Sequence, residues 1–316
     1  MPTLRIVFLG TAELACPILE AIAGATDFQI VGVVTQPDRP KGRDLHLLPP
    51  PVKELAMRLG LPVFQPDRLR SEGAVQAFAQ WHPDLILVTA YGQILPPSVL
   101  ALPAFGCLNV HASLLPKYRG AAPIQWALLN DEAETGVTIM KMDEGLDTGP
   151  ILSQQATPIS PADDAQTLHD RLAQFGARLL LSTLPDYLAG KIAARPQPAE
   201  GVTHAPKIHK ENGRLDWRLP ARVLWNQVRA LTPWPGAFTY QAAQPQPQLL
   251  KIWQTEIAES LSGAPGEVLR ADSGGLIVAC GRNALRILEL QREGKRRLNA
   301  RTFLAGSDLQ PGQILG

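Results

Sequence analysis

The apolar positions of the first half fall into short, nearly unbroken runs separated by stretches of helical period. LRIVFLG (4–10) is such a run closed by glycine, the pattern of a strand buried on both faces. Residues 12–24 then place Leu14, Ile18, Leu19 and Ile22 at helical spacing, and FQIVGVVTQ (28–36) reads as a second strand. PVKELAMRLG (51–60), with Pro at its start and Gly at its end, predicts a short helix. DLILVTA (84–90) and GCLNVHA (106–112) give a third and a fourth buried strand, TGVTIMKMD (135–143) and PILSQQATPI (150–159) two more, and residues 164–188 a long helix. Strands alternating with helices of this size predict an α/β fold around a doubly wound, mostly parallel sheet over residues 1–189.

The period is then lost. Residues 190–207 are rich in Ala, Pro and Gly and read as a linker. Beyond them LPARVLWNQVRAL (219–231) is one amphipathic helix. Short strand-like runs follow: GAFTY, QLLKIWQTEI, GEVLRA, GLIVAC and ALRILEL. QAAQPQPQ (241–248) reads as a hairpin tip and DSGG (272–275) as a turn. Evenly spaced short strands predict a small OB-like β-barrel over residues 208–316.

Composition narrows the class. The 316 residues are 45% apolar and 19% charged, which excludes intrinsic disorder. No run approaches the ~18 apolar residues of a membrane span, and no basic leader with a cleavage site is apparent. Cys16, Cys107 and Cys280 lie far apart, so neither a disulfide framework nor a zinc site is expected, and a cytoplasmic home is. The net charge of +1 divides unevenly. Residues 1–200 carry 15 Lys/Arg against 20 Asp/Glu, a net of −5; residues 201–316 carry 15 against 9, a net of +6. Such asymmetry hints at a polyanionic partner for the basic half, although a solvated basic face gives the same count.

Ligands of open parallel sheets bind beyond the C-terminal strand ends. After the first strand only Gly10 of a dinucleotide fingerprint is present, and no P-loop occurs. The fourth strand leads into the densest constellation, LNVHASLLPKYRG (108–120). Asn109 and His111, two apart on a strand, share a face. An amide can stabilise an oxyanion and an imidazole can shuttle a proton, a pair suited to acyl chemistry; the same two side chains could instead satisfy backbone groups in a turn. MDEGLDTGP (142–150) is a Gly-bounded loop with three carboxylates. Asp147, between two glycines, is the better partner to orient His111, whereas Asp143 and Glu144 read as solvated.

Asn109, His111 and Asp147, with SLLPKYRG (113–120), resemble the formyltransferase family that uses 10-formyltetrahydrofolate. TQPDRPKGR (35–43), PPVKELA (50–56), GCLNVHASLLPKYRGAAPIQWAL (106–128), ETGVTIMKMDEGLDTGPIL (134–152) and PWPGAF (233–238) resemble the branch whose acceptor is initiator methionyl-tRNA. The resemblance implies a catalytic domain (1–189) and an OB-like tRNA-binding domain (208–316). It implies direct acyl transfer through a tetrahedral intermediate. Asn109 would hold the oxyanion and Asp147 would assist His111 in moving the proton, with no metal. Cys107 would then serve packing. Ser113, Leu114, Leu115 and Pro116 match the folate-contacting loop. Arg43 matches a basic residue of the loop 36–50 expected at the acceptor stem. There Gly42-Arg43-Asp44-Leu45-His46 replaces a more basic run found in relatives. Lys207, Lys210, Lys295, Arg296 and Arg297, with Arg214, Arg222, Arg229 and Arg301, are the candidate phosphate contacts of the basic half. A monomer is expected. A sugar-nucleotide formyltransferase would share the catalytic residues but not TQPDRPKGR or this GLDTGP loop. A glycinamide ribonucleotide formyltransferase would leave the basic half unexplained, and a non-catalytic RNA-binding adaptor would have no need of all three catalytic residues.

Overall fold

The computed structural model describes residues 3–41, 46–242 and 246–316. Leu85–Thr89 and Cys107–His111 are buried at every position, as strands covered on both faces must be. They lie in a seven-stranded sheet ordered Ile151–Pro158, Glu134–Lys141, Cys107–His111, Leu85–Thr89, Leu4–Gly10, Phe28–Val34, Val63–Phe64. The last five are parallel, and the first two are added antiparallel at one edge. The doubly wound, mostly parallel sheet is therefore present. Its strand order reverses between Leu4–Gly10 and Leu85–Thr89.

Helices cover the sheet through the apolar positions the sequence indicates. Cys16–Ala23 buries Ile18, Leu19 and Ile22; Pro51–Arg58 buries Val52, Leu55 and Ala56. In the long helix Ala165–Leu188, a Cβ on Gly176 would stand 2.9 Å from Val110, so the missing side chain lets the helix close onto the sheet. Helix Glu72–Gln80 was not expected from the sequence. It buries only Ala74 and Phe78, too few apolar positions to show a period.

By packing, the chain divides into two units. The first comprises Met1–Pro123, Glu134–Pro158 and His169–Pro206. The second comprises Ile124–Ala133, Ile159–Leu168 and Lys207–Gly316, so two short excursions of the first half belong to it. Within this second unit the Arg222 guanidinium forks onto Asp131 at 2.7 and 2.9 Å, and Arg229 donates to the carbonyls of Ser160 and Asp163.

The second unit's sheet is antiparallel, in the order Ala237–Gln241, Gln248–Ala258, Ala284–Arg292, Gly275–Ala279, Val268–Asp272. Gln241 stands opposite Gln248, so the first two strands form the expected hairpin; residues 243–245 of its tip lie outside the described residues. The two ends of this path are joined by residues 313–316. Leu315 bridges Gln241 and Ile314 bridges Glu267. Val268 N donates to Gln313 O, Leu315 N to Gly266 O and Gly316 N to Tyr240 O. Residues 313–316 thus tie one end of each outer strand to the other. Leu315 reaches the core formed with Leu250, Val268 and Leu285, while helix Ala221–Ala230 turns Leu224 and Val228 into the same core.

Leu315, 2% exposed, is thus both part of this tie and a core residue. Leu315→Ala is expected to cost roughly 2–5 kcal/mol. Calorimetry of the full chain should show it as a lowered unfolding midpoint.

Candidate active site

Asn109 and His111 interrupt an otherwise apolar strand and point to one face of the sheet. Asn109 is flanked by Val88 and Met140, and His111 by Thr138. Both side chains are buried, and both meet Asp147. The Asn109 amide donates to Asp147 Oδ1 at 3.3 Å, and His111 Nδ1 stands 3.6 Å from Asp147 Oδ2. The Gly120 N–H donates to the same Oδ2 at 2.8 Å. The structure therefore brings the three expected residues into one cluster around a carboxylate that is 14% exposed.

His111 Nε2 lies 3.0 Å from the Tyr118 carbonyl. A carbonyl can only accept, so Nε2 carries the hydrogen and the neutral ring keeps its lone pair on Nδ1, beside Asp147. Tyr118 presents that carbonyl from a left-handed backbone with φ 62°. Asn109 has two amide hydrogens. One is committed to Asp147, and the other remains for a ligand oxygen.

The folate-contacting candidates follow directly, across a cis Leu115–Pro116 bond. Ser113 and Leu115 turn inward. The Ser113 hydroxyl donates to Lys117 O, and Leu115 packs with Met140 and Ile151. Leu114 and Pro116 are the half-buried members of the loop. Thr138 and Gln154 pin it: Thr138 Oγ1 donates to Ser113 O and accepts from Leu115 N, and Gln154 Nε2 donates to Leu115 O.

Further positioning contacts come from the segment that reads as a linker. Gln197 Nε2 donates to the carbonyls of Asp147 and Gly149, each at 2.8 Å, and Thr203 Oγ1 accepts from Tyr118 N. His204–Ala205 pairs with Arg119–Gly120 as a parallel ribbon. Sequence reasoning missed Gln197, Thr203, Thr138 and Gln154. Thr138 alternates within a strand like any other residue, and residues 190–207 carry no periodicity to mark a contact.

Of the basic candidates, Arg43 lies outside the described residues; in its loop Arg39–Lys41 and His46–Leu48 form an antiparallel ribbon. Lys207, Lys210, Lys295 and Arg296 are exposed, with no ion pair among the described residues. Arg297 is exposed but paired with Glu289 and lies over the Trp253 ring. Arg222 is exposed but paired with Asp131. Arg229 departs from the reading as a phosphate contact: it is 8% exposed and stacks 4.0 Å from the Trp225 ring centroid, so its charge serves the interior of the second unit.

Cys107 lies on the same strand face as Asn109, within the apolar cluster of Val7, Val88 and Val99. Burial pushes its thiol up to about 12. At pH 8 roughly one molecule in ten thousand would carry the thiolate, the reactive form. Native protein is therefore expected to resist iodoacetamide at Cys107. Mass spectrometry reads the labelling, and Cys107→Ala is expected to keep the turnover of the wild-type chain within an order of magnitude in a steady-state assay.

Residues 4–184 match the formyl transferase family model, and residues 207–308 match that of the formyl transferase C-terminal domain. A methionyl-tRNA formyltransferase of Citrifermentans bemidjiense is 49% identical over 316 residues, covering 100% of this chain and 98% of the relative. One of Geobacter sulfurreducens is 49% identical over 317 residues, with the same coverage. Among solved structures, the sugar 3N-formyl transferase WlaRD, determined in the presence of dTDP and 5-N-formyl-THF, superposes with a TM-score of 0.66. It covers 94% of this chain and 100% of its own at 18% identity, a likeness of fold. Matched over its full length at 49% identity to methionyl-tRNA formyltransferases, and by both family models, the chain belongs to the formyl transferase family.

Proposed function

We propose that the chain transfers the formyl group of 10-formyltetrahydrofolate to the α-amine of methionyl initiator tRNA, giving the N-formylmethionyl-tRNA of translation initiation. The observation that carries this reading is the convergence of the Asn109 amide and His111 Nδ1 on one carboxylate, Asp147, at 3.3 and 3.6 Å. Full-length likeness to methionyl-tRNA formyltransferases supports the choice of acceptor.

The chemistry follows from the groups present. The amine nitrogen attacks the formyl carbon and the carbonyl oxygen becomes an oxyanion. The second N–H of Asn109 donates to that oxygen. His111 Nδ1, whose lone pair is kept free by the Nε2 hydrogen bond to Tyr118, takes the proton from the amine. Asp147 beside it stabilises the imidazolium. The proton passes to N10 of the folate as the carbon–N10 bond breaks, so the ring returns to its starting form. This transfer requires neither a metal nor a covalent enzyme intermediate.

Leu114 and Pro116 offer the apolar surface for a flat pterin or aminobenzoyl ring, while Ser113 and Leu115 hold the loop in shape. Arg43, Lys207, Lys210, Lys295, Arg296 and Arg297 supply phosphate contacts that position tRNA without reading bases. In this reading residues 1–189 carry the transfer and residues 208–316 hold the tRNA. The protein acts as a monomer in the cytoplasm; no helix among the described residues is long and apolar enough to cross a membrane.

Purified protein with 10-formyltetrahydrofolate should formylate methionyl initiator tRNA and leave sugar-nucleotide amines unreacted. Reaction with the sugar alone would sink the assignment. In the same assay Asn109→Ala should lower turnover by a factor on the order of 10² or more. The phosphate contacts make a separate expectation. Lys295→Ala combined with Arg296→Ala should reduce the slope of log affinity for tRNA against log salt by about 2. An unchanged slope would remove this turn from the interface.

A further inference from the structure

We propose that Gln197 is a positioning residue for the formyl transfer, holding the Asp147 loop so that one carboxylate serves Asn109 and His111 together. The inference rests on the acyl-transfer reading of that cluster. Gln197 touches none of the reacting atoms. Its amide lies between two carbonyls on one side and one guanidinium on the other. Nε2 donates to Asp147 O and Gly149 O at 2.8 Å each, and Oε1 accepts from Arg119 Nε and one terminal nitrogen of the same guanidinium at 3.1 and 2.7 Å. Carbonyls accept only and guanidinium donates only, so the amide has a single possible orientation.

These bonds close a ring. Asp147 Oδ2 accepts from Gly120 N; the neighbouring Arg119 holds Gln197; Gln197 returns to the backbone of Asp147. Carboxylate and main chain of Asp147 are thus anchored from one two-residue segment, Arg119–Gly120, itself paired with His204–Ala205. The anchoring matters because Asp147 sits at φ 53°, a conformation a non-glycine residue leaves unless its surroundings hold it. Relaxation of that backbone would swing the carboxylate off His111 Nδ1 and Asn109 Nδ2. Two side chains on a strand would then lose the group that aligns them.

Gln197→Glu separates this role from general packing. Glu is isosteric and keeps an acceptor for Arg119, but its carboxylate cannot donate and would set oxygen against both carbonyls. The experiment measures kcat and KM for each substrate in the full chain carrying Gln197→Glu, Gln197→Ala, Asp147→Ala and the two double variants, with the unfolding midpoint of each. Both Gln197 variants should lower kcat about 10- to 100-fold, the range for displacing a catalytic group by about 1 Å. KM for each substrate should stay within about twofold. In the Asp147→Ala background either change should have no further effect, because the group it positions is gone. Unchanged kcat overturns the proposal. So does an equal loss in both backgrounds, or a loss that follows a fall in folded protein, since each assigns Gln197 to the fold alone. Wild-type protein in the same assay separates the two readings. If it fails to formylate methionyl-tRNA, the proposed function falls; if it succeeds and the Gln197 variants match it, only the positioning role falls.

Discussion

A carboxylate drawn most of the way out of water must be met by donors, and Asp147 organises the site through that need. Gly120 N and Asn109 Nδ2 donate to its two oxygens, and the His111 ring stands beside them. Each of these groups is held by something else. Asn109 and His111 are fixed by the register of a fully buried strand, and Gly120 by a ribbon with His204–Ala205. Gly149 lets the loop return tightly, because a Cβ there would overlap the carbonyl of Lys141. The side chains that perform chemistry are few. The contacts that make them coincide are spread over a hundred residues of chain.

How Asp147 reaches the cluster is set by sheet topology. In a purely parallel sheet every loop that carries function leaves from the C-terminal strand ends. Strand Glu134–Lys141 runs the other way. Lys141 pairs with Leu108 and Met142 N donates to Cys107 O, so the loop 142–150 leaves beside the start of the Cys107–His111 strand, at the end remote from His111. It then folds back across the face carrying Asn109 and His111. The cluster is accordingly sealed by a loop arriving from one end and by Tyr118–Gly120 arriving from the other.

Much of this was legible in the sequence, for identifiable reasons. Strands buried on both faces leave apolar runs, so Leu4–Gly10, Leu85–Thr89 and Cys107–His111 declare themselves, and a polar Asn109 and His111 inside such a run invite explanation. Asp147 was legible through its bracketing glycines. Strand direction was not, since an alternating pattern reads the same both ways, and the route of the 142–150 loop was hidden with it. Gln197 and Thr203 were hidden because they act on backbone carbonyls and amides, which have no sequence identity. The burial of Arg229 is equally hidden, because a sum of charges has no direction. In the folded second unit Arg229 closes on Ser160 and Asp163, and the exposed Arg222 is taken up by Asp131. The outward-facing basic surface is smaller than the excess of +6 in residues 201–316 suggests.

The cluster also constrains where acceptor choice can reside. One hydrogen of the Asn109 amide is fixed on Asp147 Oδ1, so the plane of the other is fixed before any substrate arrives. A donor aimed in advance needs no reorganisation when charge develops, which is what favours a transition state over a ground state. His111 is prepared in the same way, its tautomer set by Tyr118 O. In the proposed mechanism both preparations address the formyl carbonyl and a nucleophilic nitrogen, groups common to any amine acceptor. Discrimination between a methionyl amine and a sugar amine must then come from chain that touches the remainder of the acceptor. For a tRNA that remainder is dominated by phosphate, and Lys207, Lys210, Lys295 and Arg296, exposed and without an ion pair among the described residues, are the groups proposed to meet it.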